Sequence, residues 1–345
     1  MEIRKSLLVA TVAAGLLAGC SDSQVPEVEA AKAGAAGEVV VYSSRQEYLI
    51  RPVFERFTAE TGIKVSYTTD NEGALISRLE AEGANSPADL FITVDAGNLW
   101  LAAEKGLLQP VNSEVLEASI PANLQDPDNR WFAQTIRART IVYSTERVQP
   151  EQLSTYEALA DEQWKGRVCL RTSKKVYNQS LVATLIERLG EEQAEQVVKG
   201  WIDNLATEVF ANDNAVMEAI AAGQCDVGIV NSYYYGRLTR DKDLPIKLFW
   251  PNQETSGVHI NVSGVGLTVH APNRDNAIQL MEWMSQGTAQ SLLANENFEY
   301  PANPAVPAAE AVQAWGDYKR DDLNVSIAGK RQVEAVKLMD RVNYR

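Results

Sequence analysis

The run NSYYYGRL, residues 231–238, sets three phenols side by side after the apolar stretch VGIV. Three consecutive side chains cannot all enter one core face, since neighbours in a strand or a helix point different ways. Clustered phenols have three uses. They can form an aromatic cage for an organic cation such as a polyamine. They can pack amphipathically, with hydroxyls bonded locally. Ionised, they are hard oxygen ligands for a highly charged metal. A phenol titrates near 10, so ligation at neutral pH needs a cation that displaces its proton. Fe(III) is such an ion. Three phenolates would neutralise it, and a fourth would leave one negative charge for an arginine to offset.

Other residues join this set. In RARTIVYS, period-two alternation puts Arg137, Arg139, Ile141 and Tyr143 on one strand face. Tyr48 opens a helix-like segment in SSRQEYLI. Arg45, Arg139, Arg171 and Arg237 are candidates for charge balance or for holding a carbonate-like co-anion. In RTSKK (171–175), Thr172, Ser173 and the backbone N–H groups offer an anion cradle or plain helix capping. The chain has 2 histidines, His259 and His270, which excludes a His-rich zinc site. Each reads as a structural or surface residue.

The elements that must position these groups alternate. VVVYSS, IKVSYTT and ADLFITVD read as strands, each followed by a helical pattern: βαβαβα, hence a parallel sheet with helices on its faces. In QEYLIRPVFERFTAETG, Leu49, Ile50, Val53, Phe54 and Phe57 recur at helical spacing, and Gly62 is a stop signal. WFAQTIRARTIVYST is a long extended run. GRVCLRT, a helical stretch broken near Gly190, NAVMEAIAAGQ and CDVGIVNSY make a second α/β unit. IKLFWPN and GVHINVSGVGLTV look like extended crossing segments. The expected architecture is α/β with two lobes, a hinge and a central cleft. Residues 38–134 and 262–300 form lobe 1, residues 135–261 form lobe 2, and 301–345 supply C-terminal helices packed on both. Open parallel sheets bind ligands beyond their strands' C-terminal ends. That places YSSR (42–45), TVDA (93–96), RTSKK and NSYYY around the cleft.

Composition narrows the function. The formal net charge is −14, which argues against nucleic acid, whose binding needs clustered Lys and Arg. Residues 1–20 have a basic start, a short apolar run and the ending LAGC, which resembles a bacterial lipobox. In that pattern Cys20 is lipid-modified. Residues 21–37 then read as a flexible tether, and the mature protein as exported and anchored in the periplasm. Cys169 and Cys225 remain as a disulfide candidate for an oxidising compartment. G-x-S-x-G, P-loop, G-x-G-x-x-G and C-x-x-C signatures are missing, so a non-enzymatic role is expected, with a secreted enzyme as the rival class.

VVVYSSRQEYLIRPVFERFTAETGIKV, ADLFITVDAGNLWLAAEKGLLQPV, RARTIVYS and CDVGIVNSYYYGRL together resemble the periplasmic ferric-iron-binding proteins of ABC importers. The likeness runs from about Glu38 to the C-terminus, and the paired tyrosines after IVN are its most specific element. It implies the type II periplasmic-binding-protein fold, a monomer that delivers Fe(III) to an ABC permease and its ATPase, and a synergistic anion. Tyr233 and Tyr234 match the family's ligand pair, Tyr143 matches a further ligand, and Tyr235 falls at a packing position. Gln46 and Val94 stand where some members carry His and Glu. Others have a His-Tyr pair after YSSR, replaced here by QEY, which leaves Tyr48 as a candidate fourth ligand.

Overall fold

A computed structural model describes residues 37–345; Cys20, the targeting segment and nearly all of the tether lie outside the described residues. The strands are β1 (Glu38–Ser43), β2 (Lys64–Thr69), β3 (Leu90–Val94), β4 (Leu108–Gln109), β5 (Phe132–Ser144), β6 (Val168–Cys169), β7 (Val227–Asn231), β8 (Ile246–Phe249), β9 (Ile260–Thr268) and β10 (Tyr300–Pro301). They pair in the order β2-β1-β3-β9-β5-β7-β6. β1, β2 and β3 are parallel, whereas β9 and β5 run antiparallel to their neighbours.

β1 and β3 read as near-continuous apolar runs because helices cover both faces of the parallel sheet. The helix Glu47–Thr61 follows β1 and buries Leu49, Ile50, Val53, Phe54 and Phe57 along one stripe. It ends where Gly62 takes φ 75°, the left-handed C-cap that glycine enters without strain. The broken helical stretch of lobe 2 resolves into Val176–Leu189 and Glu191–Asp203. GRVCLRT yields only the two-residue β6.

β5 is the structural spine. Its first half pairs with β9, from Phe132 with Val265 to Ala138 with Ile260. Its second half pairs with β7, from Arg139 with Asn231 to Tyr143 with Val227. One strand therefore passes from one lobe's sheet into the other's. Separate apolar cores flank this crossing. One gathers residues of 39–136 and 260–302 with Val312, Val325 and Ala328. Another gathers residues of 141–229 with Ala335, Leu338, Met339, Val342 and Tyr344. The C-terminal segment thus contributes to both. A smaller core around Val216, Ile220 and Val230 holds Cys169 and Cys225, which are disulfide-bonded.

Candidate metal site

A cavity of about 640 Å³ opens between the lobes. Lobe 1 contributes Ser44, Arg45, Gln46, Glu47, residues 69–72, Val94, Asn297 and Glu299. Lobe 2 and the β5 spine contribute Arg137, Arg171, Lys175, Tyr177, Tyr233, Tyr234 and Arg237. The ends of β1, β3, β6 and β7 all reach it, as strand-end binding requires.

Three phenols, those of Tyr177, Tyr233 and Tyr234, line this cavity together. Tyr177 is the second residue of the helix Val176–Leu189, and Tyr233 the second of Ser232–Arg240. Neither helix has a side-chain cap on its first turn. The N–H groups and dipoles of the two helix starts favour negative charge in the first turn, where these phenols sit. The Tyr233 hydroxyl donates to the Tyr177 oxygen at 3.4 Å, a long bond. The rings of Tyr233 and Tyr234 lie 4.3 Å apart between centroids. Burial, with the Tyr177 and Tyr234 oxygens next in weight, pushes the Tyr233 phenol well above its ordinary value of 10. Burial also raises Tyr177, against the opposing pull of Arg137. Without a metal the site holds protons on these oxygens.

Cations surround the phenols. The guanidinium carbons of Arg137 and Arg171 lie 5.4 and 5.5 Å from the Tyr177 ring centre, and the Lys175 ammonium lies 4.9 Å away. Arg137 is buried and donates to Ser263 at 3.2 Å. Its Nε and Nη2 have no hydrogen-bond partner among the described residues. Arg45 is committed to Glu299 at 2.9 Å and to Thr135 at 3.2 Å. Lys175 reaches across the cleft to Glu72 at 3.5 Å. Among the described residues no group of three or more His, Cys, Asp or Glu is placed to hold a metal. The hard-oxygen donors that do converge are the phenols.

The structure brings together only part of the expected set of site residues. Tyr143 does not reach the cavity. Antiparallel register puts Arg139 beside Asn231 at the cleft end of β7 and Tyr143 beside Val227 at the far end. Tyr143 shares Arg137's strand face but stands six residues along, about 20 Å away, packed in the second lobe's core. Arg139 also leaves the cavity: its guanidinium is buried and bonded to Asn178, Asn231, Asp213 and the Ile229 carbonyl. Ser173 lies off the cavity lining, its N–H donating to the Arg345 carbonyl. Tyr48 is half exposed at the mouth, where its hydroxyl accepts from Arg237 at 2.7 Å. Gln46 and Val94 do line the cavity. Tyr235 turns away to meet Trp315 edge-on, ring centres 6.0 Å apart.

Sequence reading missed Tyr177. Its signal was the one used for Tyr233: a phenol in the first turn of the helix after a short strand. RTSKK was placed at the cleft edge, and Tyr177 lies two residues beyond it.

The fold and site define a two-lobed ligand-capturing protein. The model of the family described as bacterial extracellular solute-binding protein matches residues 53–320. Iron uptake protein A1 of Synechocystis sp. is 42% identical over 342 residues, covering 97% of this chain and 94% of that protein. A FutA protein of Trichodesmium, solved in complex with iron and citrate ligands, superposes with a TM-score of 0.86 at 44% identity. That match covers 90% of this chain and all of that one. The ferric iron-binding protein A of Mannheimia haemolytica, solved in an open conformation, matches at TM-score 0.84 and 38% identity, covering 90% and 99% of the two chains. The chain belongs to the bacterial extracellular solute-binding proteins, with the type II two-lobed α/β fold.

Proposed function

We propose that this protein is the substrate-binding component of an iron ABC importer. It captures Fe(III) in the interlobe cleft through the phenolates of Tyr177, Tyr233 and Tyr234. The observation that carries this reading is the convergence of three phenols at two uncapped helix N-termini, in a cavity without a His or carboxylate cluster among the described residues. Tyr177 takes the place that Tyr143 was expected to hold. The unpartnered nitrogens of Arg137 suit a carbonate-like or carboxylate co-anion that completes the metal's shell. Tyr48 joins the shell only if it leaves Arg237.

Closure buries the metal, and the closed shape is what a membrane permease with its ATPase would read. Opening, protonation of the phenolates or reduction to Fe(II), a weaker competitor for phenol protons, releases it. The protein acts as a periplasmic monomer, held to a membrane by lipid on Cys20, and catalyses no reaction.

The site disfavours an organic cation as the ligand. Such a ligand would meet Arg137, Arg171, Lys175 and Arg237 around the same rings. Ferric phenolate absorbs visible light, so adding ferric nitrilotriacetate should colour the purified protein red to purple. Tyr234→Phe should weaken that band. A colourless protein that binds polyamine tightly would overturn the proposal.

A further inference from the structure

Arg139 is one of the arginine candidates for an anion partner, yet the residue is 1% exposed and does not line the cavity. What it touches is specific. Nε and Nη2 donate to the Asn178 side-chain oxygen at 3.0 and 2.5 Å. Nη1 donates to the Asn231 side-chain oxygen at 3.0 Å and to Asp213 at 3.2 Å. Asn178 follows Tyr177 directly. Asn231 is the N-cap of the helix that carries Tyr233 and Tyr234.

Each bond fixes a helix start. Asn178 turns its amide nitrogen back to the Arg171 and Thr172 carbonyls, both at 2.9 Å, and so pins the turn that launches Tyr177. Asn231 makes no capping bond with its side chain; that oxygen goes to Arg139 instead. Its backbone N–H donates to Asp213 at 3.0 Å. One planar, five-donor guanidinium thus ties together the two segments that present all three phenols, which no point-like ammonium can imitate.

We propose that Arg139 is a positioning residue for the metal site: it sets the distance and angle between the Tyr177 phenol and the Tyr233–Tyr234 pair. This rests on the iron-phenolate reading above. Groups that orient metal ligands from behind typically contribute about 10- to 100-fold to affinity. The test pairs Arg139→Lys, which keeps the charge and loses the fork, with the milder Asn178→Ala. Ferric affinity is read by competition with nitrilotriacetate, site geometry by the wavelength of the phenolate-to-iron band, and folding by thermal unfolding. Expected for folded Arg139→Lys is an affinity at least about 10-fold lower together with a displaced band, and a smaller change of the same kind for Asn178→Ala. If Arg139→Lys does not fold, Asn178→Ala decides alone. Wild-type affinity with an unmoved band overturns the proposal, as does weaker affinity with an unmoved band. A wild-type protein that shows no band at all instead defeats the iron reading on which the proposal stands.

Discussion

The sharpest consequence of the phenol geometry is a proton count. The Tyr177 and Tyr233 phenols are held above their ordinary value by burial. Even an unshifted phenol is ionised in only about one molecule in a thousand at pH 7. Fe(III) bound through three phenolates must therefore expel three protons from the protein, and Tyr177→Phe must reduce that number by about one. The substitution is structurally mild. Tyr177 is 8% exposed and its ring stays in place as Phe, and its hydroxyl accepts a single long bond at 3.4 Å from Tyr233. Loss of such a bond costs about 1 kcal/mol or less. Calorimetric titration with ferric nitrilotriacetate, in two buffers of different ionisation enthalpy, gives the protons released. Protons from the chelate and the metal cancel in the difference between wild type and variant. The expected difference is one proton, and affinity should vary about ten-fold less per pH unit. An unchanged proton number with an unchanged visible band would show that Tyr177 is not a ligand.

Three further outcomes follow. Tyr143→Phe should leave ferric affinity within about two-fold of wild type, because that phenol lies about 20 Å from Arg137 along β5; competition titration checks it. His259 is pushed down to about 3 by burial, with Arg139 and Arg137 adding repulsion, against 6.5 in an open chain. Below pH 6.5 the unfolded chain takes a proton that the folded protein refuses, so stability is full above that pH and falls towards pH 3 by about 1.4 kcal/mol per unit. Denaturant melts at pH 7 and 4.5 should show that slope, and His259→Asn should flatten it by about 2.7 kcal/mol across the interval. The Cys169–Cys225 bond closes a loop of 56 residues' separation. Replacing both cysteines by alanine should lower unfolding free energy by about 4 kcal/mol in the chain-entropy model, measured by equilibrium denaturation of the metal-free protein.

Much of this architecture was legible before coordinates. Strand runs, helical stripes and the Gly62 stop are local signals, and they put NSYYY at a cleft edge without tertiary information. The third phenol was not legible, for a geometric reason. Alternation along RARTIVYS says which residues share a face with Arg137, but not which end of the strand meets the cleft. Only the antiparallel pairing with β7 fixes that, and it sends Tyr143 to the far end. The same pairing turns Arg139 towards Asn231. Tyr48 illustrates a different limit. Its place at the start of a helix was readable, while its engagement by Arg237, 189 positions later in sequence, depends on how the lobes meet.

The charge around the phenols is itself a filter. At 5 Å and an effective dielectric near 20, one positive group repels another by about 3 kcal/mol. Arg137, Arg171 and Lys175 all stand about that far from the Tyr177 ring. A cation that leaves the phenols protonated meets this repulsion undiminished, and neutral phenol oxygens are poor compensation. An ion acidic enough to ionise them releases three protons and leaves three negative charges that cancel its own, so the same arginines and lysine no longer oppose it. Divalent ions and organic ammonium groups fall on the wrong side of that switch. The cations around the phenols thus make proton displacement the condition of entry.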